Sequence, residues 1–442
     1  MLKSMIAAAL AMLMAGAAAA QAPAEVVFRN VRVFDGKSDR LTAPTSVLVR
    51  GNLIAAIGPA AVASAPTATV VEGEGRTLMP GLIDAHWHTL LVRPRFTELL
   101  TIDEGYLNAL GAAEATATLM RGFTTVRDVG GPSFGLKRAI DEGVLPGPRI
   151  YPSGAMITVT SGHGDFRAAW EVPRTIGAPA SRAEQVGAAM IADGPDEVTV
   201  RVREQLMQGA SQIKLTAGGG VSSPHSPLDV STFTEAELRA AVEAAANWGT
   251  YVTVHAYTPA AVQRAIAAGV QCIEHAHLMD EATARMMAEK GVWLSMQPLP
   301  DELAEGFPPG SEQRAKAVEV FAGTARTYEL AKKYGIKTAW GTDVLFSAGL
   351  ARQQGALLAK IATWFTPAET LAQATGTNAR LLALSGKRNP YPGKLGVVEE
   401  GALADLLLVD GNPLENIALV ADPDRSFRVI MKDGKIYKNT LQ

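Results

Sequence analysis

Eight short apolar runs, rich in β-branched residues, restrict what this chain can fold into. They are Leu82 to Ala85, Thr124 to Arg127, Arg149 to Ser153, Gln212 to Thr216, Tyr251 to Val254, Val270 to Glu274, Val292 to Met296 and Ile336 to Gly341. Runs of this length and composition read as buried strands, and alanine-rich stretches with helical spacing lie between most of them. The clearest of these helices opens at Thr234-Glu235-Ala236-Glu237, where Thr234 and Glu237 form a capping-box pattern. Strand and helix alternating eight times predicts an α/β protein with a (β/α)8 TIM-like barrel over residues 81–385.

Strand-like patterns also flank this region. Val26 to Phe34, Ser46 to Ile57 and Thr69 to Leu78 precede it, and Leu406 to Val409 and Phe427 to Tyr437 follow it. Asp410-Gly411 and Asp433-Gly434 read as turns, the second placed as in a hairpin. Residues 21–80 and 386–442 are therefore expected to build one small β-sandwich from both flanks of the barrel.

A barrel of this kind collects its reacting groups at the C-terminal ends of the strands, so residues far apart in sequence converge. His86 and His88 end the first run, Lys214 lies near the end of the fourth, His255 closes the fifth, His275 the sixth, and Asp343 follows the eighth. An i, i+2 pair on a strand points both imidazoles to one side, where one metal ion could take both. Taken singly, a His-x-His pair, a lysine after an apolar run or a Gly-Thr-Asp turn is usually structural. Together, in this order, at the ends of strands one, four, five, six and eight, they define a candidate two-metal hydrolytic site.

The motifs His86-Trp87-His88, Ile213-Lys214-Leu215-Thr216 before Gly218-Gly219-Gly220, Val254-His255-Ala256, Ile273-Glu274-His275 and Gly341-Thr342-Asp343 resemble those of the amidohydrolase superfamily. The match is to its binuclear members with a lysine on the fourth barrel strand, and it spans nearly the whole mature chain. Within the superfamily the chain is similar to the Xaa-Pro dipeptidase and carboxypeptidase-like group, which includes ochratoxin-hydrolysing amidohydrolases. The resemblance implies that His86, His88 and Asp343 hold one metal and His255 and His275 the second, with Lys214 bridging as a carbamate formed with carbon dioxide. Zinc suits such nitrogen and oxygen donors, although manganese, cobalt or iron fit the same cage. The resemblance also implies attack by a hydroxide shared between the metals, with Asp343 taking the proton from water and passing it to the leaving amine. A dipeptide or an N-acyl amino acid would then lose its C-terminal amino acid, ochratoxin A being one candidate substrate. The alternatives are a lactonase or cyclic amide hydrolase using the same metals and, in another class, a non-catalytic envelope binding protein.

The remaining histidines are less telling. His163, in Ser161-Gly162-His163-Gly164-Asp165, is a candidate substrate contact on the long connection after strand three, and a similar His-Gly-Asp element occurs in the resembled group. Tyr257 could donate a hydrogen bond to substrate or simply pack on the barrel rim. His277 either faces the pocket or follows the metal strand outward, and His225 is expected to decorate a loop. The glycines at 218–220 lack the Gly-Lys-Ser/Thr of a phosphate loop and are expected to let backbone pass close to the metal site. Cys272 is alone and suits a small core residue rather than a nucleophile. The connection from about Ala155 to Pro195 and the segment Pro298 to Gly310 are expected to shape the substrate pocket.

A formal charge of −3 with no basic cluster argues against a nucleic-acid partner. The expected partner is a small-molecule amide, and related enzymes suggest a homo-oligomer. Lys3, the apolar run from Met5 to Ala19 and Ala18-Ala19-Ala20 read as a signal peptide over residues 1–20, cleaved before Gln21. A periplasmic or secreted protein without stable membrane insertion follows, an uncleaved anchor being the alternative.

Overall fold

The computed structural model describes residues 24–441 except 64, 224 and 300, so the expected signal segment lies outside the described residues. The N-terminal part forms β1 (Glu25–Val33), β2 (Thr45–Arg50), β3 (Leu53–Ile57), β4 (Thr69–Glu72) and β5 (Thr77–Pro80). The central part forms β6 (Leu82–Trp87), β7 (Phe123–Asp128), β8 (Arg149–Pro152), β9 (Met156–Thr158), β10 (Ala189–Ile191), β11 (Ile213–Thr216), β12 (Val252–Ala256), β13 (Cys272–His275), β14 (Trp293–Met296) and β15 (Thr338–Trp340). The C-terminal part adds β16 (Leu406–Val409), β17 (Phe427–Lys432) and β18 (Lys435–Asn439).

The central strands form two parallel sheets, β6-β7-β8 and β10-β9-β11-β12-β13-β14-β15. They meet at two seams. Ser211 N donates to Pro152 O at 2.7 Å on one side, and Asp343 N donates to His86 O at 2.8 Å on the other, next to a parallel bridge between Trp87 and Val344. Helices such as Glu104–Met120, Pro195–Gln208, Glu235–Asn247 and Glu281–Lys290 alternate with the strands and supply the mixed α/β character. Thr234 caps Glu235–Asn247 as expected: its side chain accepts from Glu237 N, and Glu237 Oε2 accepts from Thr234 N at 2.7 Å.

Strands from both flanks do pair. β5 lies antiparallel to β16, and all eight flanking strands join one sheet, with β4 attached to β1. The strands are linked through β1, which pairs with β2 and β4 along most of its length and with β5 at its end. Its core draws on both flanks, from Phe28, Val47 and Leu78 to Leu406, Leu408 and Val429. The stretch Ser46 to Ile57 is two strands rather than one, because Gly51, at φ 60°, turns the chain between them. Asp433 and Gly434, at φ 54° and 72°, make the β17–β18 hairpin turn that their residue types predict.

A single residue, Gly81, separates β5 from β6. A Cβ there would overlap the Thr124 side chain, so only glycine lets the chain pass from one sheet to the other at this point. The long connection after β8 also carries β9 and β10, which extend the seven-stranded sheet and which its weak periodicity did not reveal. Among the described residues, no helix is long and apolar enough to cross a membrane.

Candidate active site

The strand ends deliver the expected residues to one place. His86 Nε2 and His88 Nε2 each lie 3.1 Å from Asp343 Oδ1, and His275 Nε2 lies 4.0 Å from Asp343 Oδ2. His86, His275 and Asp343 offer donor atoms within 4.8 Å of one another. The His255 ring centre is 4.5 Å from that of His275. Lys214 is 2% exposed, and its charge acts on His86, His255 and His275. Asp343 is the accessible member, its side chain 24% exposed where His86, His88 and His275 are at 1%, 3% and 2%.

Whether these imidazoles can bind metal depends on which ring nitrogen carries hydrogen, and their neighbours decide this. A carbonyl or carboxylate oxygen only accepts, so the nitrogen facing it must donate. His88 Nδ1 faces Gly130 O at 3.0 Å, and His86 Nδ1 faces Glu274 Oε2 at 2.8 Å. His275 Nδ1 faces Gln297 Oε1 at 2.6 Å. Each of these three histidines can therefore present Nε2. His255 is reversed, with Nε2 donating to Gly219 O at 2.8 Å and Nδ1 left to coordinate. The donor set fits divalent cations of the nitrogen- and oxygen-binding kind.

Burial and charge tune the same groups. Burial would lower His86, but the Asp343 carboxylate, helped by Glu274, outweighs it and raises the imidazole above its ordinary 6.5. Burial also opposes ionisation of Asp343, yet His86 and the hydrogen bonds from both strand-one histidines hold its carboxyl well below 3.8. His255 and His275 are driven well below 6.5, chiefly by burial. Burial lowers Lys214 from 10.5, which increases the share of neutral amine, the form that reacts with carbon dioxide.

The backbone is strained where it presents ligands. His275, Ala276 and Asp343 have φ of 80°, 51° and 55°, left-handed values that cost non-glycine residues about 1–3 kcal/mol each. Asp84, which sequence reasoning passed over, holds two of the ligand-bearing segments together. Its Oδ1 accepts from His86 N at 3.0 Å and Thr342 N at 3.1 Å, and its Oδ2 from Thr342 Oγ1 at 2.7 Å and Gln354 Nε2 at 2.9 Å. Beneath the histidines, Arg127 donates to Glu274 Oε1 at 2.6 Å, Ser295 Oγ at 3.1 Å and the Tyr251 hydroxyl at 3.2 Å. Glu274 stood in a quoted motif, but its service to His86 did not show. An ionisable residue inside each of two apolar runs, Thr124 to Arg127 and Val270 to Glu274, was the available signal.

His163 reaches the site: its ring centre is 4.3 Å from that of His255, and its Nδ1 lies 2.8 Å from Ser223 Oγ. Burial pushes it down to about 4. A Cβ on Gly220 would overlap the His163 ring, so the glycine run makes room for this histidine. Tyr257 packs its ring 4.6 Å from that of His255, in an apolar cluster with Val221, Leu228 and Phe321. Leu299, Leu303 and Phe307 pack on the same cluster, which places the Pro298 to Gly310 segment beside Tyr257. His277 is buried with Nε2 3.1 Å from Gln297 O, His225 is exposed on its loop, and Cys272 is a buried free thiol.

These parallel α/β sheets gather histidines, a lysine and an aspartate at their strand ends, a donor set that fits divalent cations, and the comparisons with known proteins give the family. The amidohydrolase family model matches residues 77–437, and the chain belongs to that family. It is 32% identical over 374 residues to the ochratoxinase of Aspergillus niger, covering 82% of this chain and 75% of that protein. A prolidase complexed with N-methylphosphonate-L-proline matches with a TM-score of 0.86 and 34% identity, over 94% of this chain and 100% of that one. A Xaa-Pro dipeptidase with bound methionine matches with a TM-score of 0.81 and 30% identity, again over 94% and 100%. Within the family the chain is thus similar to the dipeptidase-like group, and it is a hydrolase acting on amide bonds. The alternative of a non-catalytic binding protein gives way to this result.

Proposed function

We propose that the protein is a binuclear metallohydrolase that releases the C-terminal amino acid from dipeptides or N-acyl amino acids. The observation that carries this is the set of four histidines, each with one ring nitrogen held by an acceptor behind it and the other turned into the cluster, where Asp343 meets those of His86 and His88 and Lys214 is buried nearby. The two seams between the parallel sheets support a closed (β/α)8 barrel with the site at its C-terminal mouth. His86, His88 and Asp343 would hold one cation and His255 and His275 the other, with zinc best suited, and the Lys214 carbamate would bridge them.

Cations held by these residues would lower the pKa of a bound water to about 7 and would polarise the scissile carbonyl. Asp343, ionised and facing the mouth, takes a proton from the attacking water as its oxygen adds to the carbonyl carbon. It then gives that proton to the amide nitrogen as the carbon–nitrogen bond breaks. His163 and Tyr257, whose rings lie beside that of His255, would contact the substrate.

The test is release of free amino acid from a panel of dipeptides and N-acyl amino acids, ochratoxin A included, by zinc-loaded and chelator-stripped protein. Zinc-dependent release is expected. If protein carrying two zinc ions released nothing across the panel, the amide reading would yield to lactones or cyclic amides. Lys214→Ala should lower zinc content and turnover together, and a variant with full metal and full rate would exclude the carbamate bridge.

We further place the mature enzyme in the periplasm or the medium, on the charged and apolar pattern of residues 1–20. N-terminal sequencing of protein from exporting cells should begin at Gln21; an intact Met1 would overturn this placement.

A further inference from the structure

The groups standing behind the ligand histidines differ in charge. Behind His86 is the carboxylate of Glu274, with Oε2 2.8 Å from Nδ1. Its other oxygen, Oε1, accepts from Arg127 Nη2 at 2.6 Å, and both side chains are fully buried, so an ion pair stands behind His86. Behind His275 is the neutral amide of Gln297, with Oε1 2.6 Å from Nδ1. The amide nitrogen of Gln297 lies 3.2 Å from His86 Nδ1 and 3.4 Å from Ser295 O, so Gln297 sits between the two histidines with its oxygen on His275. Behind His255 is only the backbone carbonyl of Gly219. Asp343 Oδ1, moreover, lies 3.1 Å from both His86 and His88, while Oδ2 is 4.0 Å from His275.

We propose that Glu274 and Gln297 are positioning residues that make the two metal positions unequal. The position formed by His86, His88 and Asp343 fills first and holds its ion; the position formed by His255 and His275 fills second and exchanges it. The inference rests on the ligand assignment proposed above. An anionic acceptor behind an imidazole N–H increases the donor strength of the opposite nitrogen, and a neutral amide does so less. The first position therefore has a carboxylate ligand and a carboxylate-backed histidine. The second has two histidines backed by neutral oxygens, and its one source of negative charge is the Lys214 carbamate.

The experiment is a zinc titration of chelator-stripped full-length protein in bicarbonate buffer, against a chromophoric chelator that reports free zinc, with thermal melts of the metal-free variants alongside. The wild type should bind two ions in steps separated by about tenfold or more. Glu274→Gln should weaken the tighter step by about 10- to 100-fold and leave the weaker one in place. Gln297→Met, which keeps the length of the side chain and removes the acceptor behind His275, should weaken the second step by a similar factor and the first, where only the amide nitrogen nears His86, by much less. A general loss of packing would not divide the two steps between the two variants. Should Glu274→Gln fail to fold because Arg127 loses its partner, Gln297→Met decides alone. Equal weakening of both steps by Gln297→Met, or no change in either, overturns the proposal. A wild-type protein that binds no zinc overturns the ligand assignment itself.

Discussion

Asp343→Asn is expected to lower kcat by about 10³-fold while most of the bound metal stays. The amide keeps an oxygen close to His86 and His88 but cannot accept and return a proton, so the chemical step suffers more than the site. Single-turnover hydrolysis with metal analysis of the same sample checks this, and an unchanged rate would remove Asp343 from the proton transfer. Asp343 suits the proposed role because its carboxyl is held well below the ordinary carboxylate range between two buried histidines and its side chain is the most exposed of the three.

The largest effect on stability is expected at Arg127→Met, at about 3–5 kcal/mol. Arg127 and Glu274 are both 0% exposed, and removing the guanidinium leaves a carboxylate in the interior facing Thr253, Cys272 and His86 with no compensating charge beneath it. Urea unfolding should show the loss, and the double variant Arg127→Met with Glu274→Gln should recover part of it, because neither ion is then stranded. A single variant as stable as wild type would mean that the pair carries no such weight. The pair also sets a direction with pH. The folded carboxyl of Glu274 lies well below its ordinary 4.5, so its contribution is complete above that value and is lost as pH falls toward the folded pKa.

Much of the site was legible because metal ligands are chemically distinctive and strand ends are marked by the close of apolar runs. His86, His88, Lys214, His255, His275 and Asp343 are conspicuous for both reasons. Arg127, Glu274 and Gln297 were not, because what they do depends on partners in other strands: Arg127 meets Glu274 across 147 positions, and Gln297 approaches His86 across 211. No local pattern encodes such a pairing. The strands β9 and β10 escaped for a different reason, since three residues each are too few to show a period. The flanking strands could be seen singly and their association was expected, but the particular pairing of β5 with β16 is announced by no run of residues.

That pairing bears on when the active site can exist. The strand carrying the first two ligands begins one residue after β5, and β5 finds its antiparallel partner in Leu406–Val409, beyond every proposed catalytic residue in the chain. A ribosome delivers His86 early and this partner late. Until the later segment arrives, the first histidine pair is tethered to a strand whose longer edge is open, so synthesis runs ahead of assembly and the nascent chain is a poor trap for metal.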